Sequence, residues 1–190
     1  MKMAGDYCVC VEKVTDTNAG EFFLLIQQHI SLIYHKAACI KRPKYCYDED
    51  IKKFVSESRY TSIRDAIAQQ IGKITAGIPV SAGSKHDQTP HIGFALSEAL
   101  ADIYESLKEF ISLYQVGIPQ SMNDALWHLK NDFAGNLGLR LTEGLQLIHT
   151  IVYSNQSSEK TYGDFDDAEG TDESNPWSID DQEEIYSEDE

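Results

Sequence analysis

The chain has 190 residues, 42% of them hydrophobic and 25% charged, with 16 Lys and Arg against 31 Asp and Glu for a net charge of −15. That length suits one ordinary domain or two small ones, and so acidic a balance argues against a general positive field for coating nucleic acid or anionic lipid. The longest apolar runs, such as Phe22–Ile26, are too short to cross a bilayer, and Met1–Asp6 has no signal-like apolar stretch, so a cytoplasmic protein is expected.

In chain order, the spacing predicts a short helix over Met3–Val14, then a turn at Thr15–Gly20. Phe22, Ile26, Ile30, Ile33 and Ala37 recur at three and four residues, and Phe23, Leu25 and Leu32 make this helix apolar almost all round. Such a helix is expected at the centre of the core. Lys41–Tyr47 reads as a connection. A further helix is predicted to start at the acidic Asp48–Asp50 and to run through Ile51, Phe54, Val55, Ile63, Ile67, Ile71 and Ile74, with Ser56–Ser62 as a candidate interruption. Gly77–Gly93 carries two prolines and reads as a mobile or surface-draped connection. Ile78–Val80 within it is the one strand candidate, demoted by Pro79.

Leu96, Leu100, Ile103, Leu107, Phe110 and Tyr114 paint one helical stripe, stopped by Gly117 and restarted by Pro119. The pattern resumes through Met122, Leu126, Leu129 and Phe133, and again through Leu137, Leu141, Leu145, Ile148 and Val152. Gly135, Gly138 and Gly144 each weaken this stretch by up to about 1 kcal/mol relative to Ala. One helix bent near Gly135 and two abutting helices both fit, and two are preferred. The fold class is therefore all-α, a single bundle of five or six helices over residues 1–153. From Ser154 to Glu190 come 14 acidic residues and one lysine, a net −13, without apolar periodicity. Too little apolar surface is available there to offset an ordering cost of about 1–2 kcal/mol per residue, so residues 154–190 are expected to form a disordered acidic tail.

Ala101–Tyr114 (ADIYESLKEFISLY), Met122–Trp127 (MNDALW) and Leu145–His149 (LQLIH) together resemble a bacterial family of helical proteins known as domain of unknown function 5063. The resemblance is closest over Leu96–Tyr153, looser over Tyr7–Ile74, and leaves out the acidic tail. It implies an all-helical fold and carries no activity. Members often have an aromatic before the glycine where this chain has Asn136-Leu137-Gly138, so a pocket lined by that position would differ here.

Chemistry-bearing groups are sparse. Cys8, Cys10, Cys39 and Cys46 lack the tight two-to-four-residue pairing of a zinc site and read as reduced thiols packed as small apolar groups. Asp124, His128 and Asp132 share a helix face, but the Glu-x-x-His repeat of bundle di-metal sites is missing, so a solvated face is expected. His29 and His149 lie among apolar neighbours and read as hydrogen-bonded core or boundary residues. Asp102 and Tyr104 flank Ile103 and are within reach of Asn123 or Trp127; with His149 these form a candidate polar cluster or pocket, with Trp127 on a buried face. Lys36, Lys41, Arg42, Lys44, Lys52 and Lys53 form a basic patch at one end of the body that could receive an acidic partner, a nucleic-acid backbone or the chain's own tail, but the preferred reading is ordinary lysines at a helix C-terminus, favourable to its dipole. No phosphate loop, nucleophile elbow or metalloprotease motif is present. No catalytic, cofactor-binding or metal-binding residue is thus nominated, and no cofactor.

The expected function is a non-catalytic interaction protein, adaptor or regulatory. Its partner is unidentified, basic or nucleic-acid-handling, with neither direct nucleic-acid binding nor a membrane expected. Tyr162, Phe165, Trp177 and Tyr186, spaced through the acid, are candidate recognition residues of the tail. A bundle that binds a small molecule or metal between its helices is the alternative.

Overall fold

The computed structural model describes residues 1–48, 53–75 and 89–154, which form six α-helices and no strand. The all-α expectation holds. The expected disordered tail, apart from Ser154 at the end of the last helix, and the strand candidate Ile78–Val80 lie outside the described residues.

Helix α1, Lys2–Glu12, buries Ala4, Tyr7, Cys8 and Val11, a stripe at spacings of three, one and three. A single 3₁₀ turn at Val14–Asp16 leads into α2, Ala19–Cys39. The Asn18 side chain accepts the N–H of Gly20 at 2.9 Å and of Glu21 at 3.5 Å, which satisfies donors that the first turn leaves free. Helix α3 runs Glu57–Thr75, with Ser56 Oγ accepting the Arg59 N–H at 3.2 Å. Helix α4, Thr89–Tyr114, ends in a turn where Gly117 has φ +78°, a conformation costly for any residue with a Cβ. Pro119 opens α5, Pro119–Asp132, where its missing N–H is no loss.

Two abutting helices are expected after Pro119, and such a pair is found, joined without the backbone leaving the helical region. α5 passes through a π-helical segment, Phe133–Leu137, straight into α6, Gly138–Ser154. The Gly138 N–H reaches back five residues to the Phe133 carbonyl, and a Cβ at Gly138 would stand 2.5 Å from that oxygen. Glycine at 138 therefore permits the widened turn instead of breaking the helix. Leu137 is fully buried in this turn.

Other boundaries move for stated reasons. Of the helix predicted from Asp48–Asp50, residues 49–52 lie outside the described residues; Phe54 and Val55 are not helical, their N–H groups being taken by the Glu109 carboxylate, and α3 begins at Glu57. The connection predicted over Gly77–Gly93 is already helical from Thr89, with Pro90 in the first turn.

Centrality also shifts. α4 packs against α1, α3, α5 and α6, and Leu96, Leu100, Ile103 and Tyr104 on it are fully buried. α2 packs on α1, α3 and α6 with Phe22, Phe23, Ile26, Ile30 and Ile33, yet leaves Leu24 45% and Leu32 50% exposed. The helix expected at the centre is thus a flank, because no neighbour covers its third side.

Polar side chains pin the helices to one another. Glu12 on α1 accepts from the Tyr104 hydroxyl at 2.8 Å and Lys108 Nζ at 2.9 Å, with an Arg59 nitrogen at 3.4 Å. Burial alone would raise the Glu12 carboxyl, but these three partners outweigh it and hold the group below its ordinary range. Asp102 accepts from the Tyr60 hydroxyl at 2.7 Å and Arg140 Nε at 2.8 Å, joining α3, α4 and α6.

Candidate functional site

Tyr47, Asp48, Phe54 and Val55, between α2 and α3, are held by carboxylates of the helices beneath them. Asp124 on α5 is only 4% exposed and accepts the backbone N–H of Tyr47 at 2.9 Å and of Asp48 at 3.1 Å. Asn123 donates to the Tyr45 carbonyl at 3.0 Å and to Asp124. Glu109 on α4 accepts from Phe54 at 2.8 Å and Val55 at 2.7 Å, and Lys53 pairs with Glu105 at 3.2 Å. Burial pushes the Asp124 carboxyl up, but the Tyr47 N–H, the Asn123 amide and the Asp48 N–H together bring it below the usual aspartate range. It is an ionised anchor for backbone, and the solvated face expected for Asp124 and His128 is corrected accordingly.

Held in this way, the segment displays a surface of aromatics and cations. Tyr45 is 62% and Tyr47 59% exposed, and their rings meet edge to face at 5.5 Å. The Arg42 guanidinium stands 5.8 Å from the centroid of the Trp127 ring, within cation–π range. Trp127 is therefore half-buried at the surface and not the interior residue predicted. The buried positions of α5 are Asp124, Ala125 and Leu129, one position round the helix. Lys41, Arg42 and Lys44 are exposed beside it, as is Lys36 at the end of α2. Lys53 belongs instead to its ion pair, and Lys52 lies outside the described residues.

On the other side of the α4–α5 contact is a mixed cleft of about 380 Å³, lined by Glu105, Ser106, Asn131, Asp132 and Asn136 together with apolar Phe110 and Leu113. Burial raises the Asp132 carboxyl; the Ser106 hydroxyl opposes this, while Glu105 and Asp102 add repulsion. The His128 Nε2 atom here is 3.2 Å from the Asp48 carbonyl and 3.4 Å from Cys46 Sγ, whose own thiol lies 3.1 Å from the same carbonyl. Both groups clasp the segment end. Among the described residues no three His, Cys, Asp or Glu side chains stand close enough to hold a metal ion, and no helix is long and apolar enough to cross a membrane.

The five residues of the predicted polar cluster occupy separate settings. Asp102 serves Tyr60 and Arg140, buried Tyr104 serves Glu12, Asn123 serves the Tyr45 backbone, and Trp127 faces Arg42. His149, expected in or beside the core, is exposed and packs its ring on Tyr153 at 4.5 Å. His29 is half-buried, with Nδ1 2.7 Å from the Leu25 carbonyl, as a boundary histidine should be. Cys8 is buried, and burial lifts its thiol to about 12, which leaves it inert. The tail candidates Tyr162, Phe165, Trp177 and Tyr186 lie outside the described residues. Sequence reasoning missed Tyr45, Tyr47 and Glu109. The aromatics interleaved with Lys41, Arg42 and Lys44 carried a signal; Glu109, inside an amphipathic stripe, carried none.

A family model described as domain of unknown function (DUF5063) matches residues 1–154. The crystal structure of protein BF1032 from Bacteroides fragilis, a structural-genomics target, is similar with a TM-score of 0.66 and 25% identity, covering 80% of this chain and 89% of that one. No curated protein matches the chain.

Proposed function

We propose that this chain, which belongs to the DUF5063 family, is a non-catalytic protein-interaction domain, adaptor or regulatory in role, working in the bacterial cytoplasm. The observation that carries the reading is the surface of Arg42, Trp127, Tyr45 and Tyr47. Trp, Tyr and Arg dominate binding hot spots, the two aromatics because they bury much area for little lost side-chain freedom and Arg through its planar fork of donors. Here two of the aromatics project from irregular backbone that Asp124 and Asn123 already hold, so less ordering cost remains to be met on binding. The acidic residues after Ser154, with Tyr162, Phe165, Trp177 and Tyr186 among them, would engage a second partner that is basic or nucleic-acid-handling.

Affinity capture from the native cytoplasm with the full chain, the triple variant Tyr45→Ala/Tyr47→Ala/Trp127→Ala and a chain ending at Ser154 tests both surfaces. Each variant should lose a different retained protein while keeping its helical circular dichroism. Identical retained sets for all three would sink the reading.

A second reading, a small-ligand site between helices, draws on the cleft of Asp132, where a half-buried carboxyl of raised affinity for protons faces Asn131 and Asn136. A thermal-shift screen of small amines and amides against the full chain, with Asp132→Asn as control, tests it; no Asp132-dependent stabilisation would remove it.

A further inference from the structure

Beyond the aromatic surface, the ends of α1, α2, α4 and α5 enclose an apolar groove of about 550 Å³. Its floor is built from Ile33, Ala37 and Ile40 on one side and Phe110, Leu126 and Leu129 on the other. Lys2 and Lys36 line its rim, no carboxylate lines it, and past Ile40 the chain continues directly into the exposed Lys41, Arg42 and Lys44. Among the described residues no ion pair engages Lys2, Lys36, Lys41 or Lys44. This concentration stands out because the first 153 residues as a whole carry only −2 of the net charge. The cleft with Glu105, Glu109 and Asp132 lies across the α4–α5 contact, so carboxylates line that side and none lines the groove.

We infer that this groove docks an acidic amphipathic helix supplied by a partner protein. The inference rests on the interaction reading above and names the chemistry of the partner. Apolar residues of the incoming helix at i, i+3, i+4 and i+7 fill the groove, and carboxylates on its flanks meet Lys2, Lys36, Lys41 and Lys44. Each half of the site alone selects poorly. An apolar groove accepts any amphipathic helix, and a lysine cluster attracts any polyanion. Together they favour a ligand that is apolar along one stripe and acidic beside it. A nucleic-acid strand would satisfy the lysines but leave the largely aliphatic floor empty, and it finds few rings there on which bases stack.

The test uses the full chain, isotope-labelled at Ile and Leu methyls, and three synthetic peptides of about 16 residues, long enough to be partly helical. One carries leucines at i, i+3, i+4 and i+7 among glutamates; one has the same composition scrambled; one replaces the glutamates by lysines. The first should move the methyls of Ile33, Ile40 and Leu126 and bind about tenfold or more tighter than the other two. Lys36→Glu with Lys41→Glu should weaken it by about tenfold with unchanged circular dichroism, and higher salt should weaken it further. Equal binding of the scrambled peptide, equal binding of the lysine peptide, or no methyl shift overturns the assignment, as does an oligothymidylate that moves the same methyls. If these peptides fail while the Tyr45/Tyr47/Trp127 variant still loses its retained protein, the groove assignment falls and the interaction reading stands.

Discussion

α2 and α4 are both strongly apolar helices, yet they end in opposite settings. α4, with a single clean stripe and many charges, is wrapped by α1, α3, α5 and α6. α2, apolar almost all round, is covered on two sides and shows Leu24 and Leu32 to solvent. The same inversion recurs within α5, where Asp124 is buried and Trp127, three residues on, is at the surface. Side-chain polarity ranks how a helix would prefer to be covered; the number of neighbours decides how far that preference is met. A carboxylate can occupy an interior position when backbone N–H groups replace its hydration, and a tryptophan can stay out where no element arrives to cover it.

Four single substitutions separate these settings. The largest effect belongs to α4: Leu100→Ala, at a fully buried position, should cost about 2–5 kcal/mol in urea unfolding, the transfer loss plus the cavity left behind. Next comes Asp124→Ala, which strands the N–H groups of Tyr47 and Asp48 and should cost about 1.5–3 kcal/mol at pH 7. Because the folded Asp124 carboxyl lies below its unfolded value, its contribution is present above the ordinary aspartate range and disappears as pH falls through the folded value. The gap between wild type and Asp124→Ala should therefore narrow below about pH 4, measured as urea midpoints against pH.

Trp127→Ala should cost about 1 kcal/mol, well short of the 3–5 kcal/mol typical of a buried aromatic, since it loses partial burial and one cation–π contact. A loss in the buried range would contradict its surface placement. Smallest of all, Leu32→Ala should change stability by less than about 0.5 kcal/mol. If Leu32→Ala rivalled Leu100→Ala by thermal melting, α2 and not α4 would be the interior helix.

The helices were legible in the sequence because their signals are local. Periodicity at three and four residues, Gly117 with its left-handed φ, and Pro119 at a helix start all act within one or two turns of chain, and they marked α1, α2, α5 and the end of α4 closely. The segregation of acid after Ser154 is equally a property of the sequence. The site was not legible, for a physical reason: its construction depends on pairs far apart in the chain. Glu109 takes the N–H groups of Phe54 and Val55, 55 and 54 residues away, just ahead of α3, and Asp124 holds Tyr47 across 77 residues. Local sequence thus determined which segments coil and where charge accumulates. Only the packing of α4 among four partners determined which faces were left over for Trp127, Tyr45, Tyr47 and the lysine-rimmed groove, because burial is settled by the neighbours that arrive and not by the residue that waits.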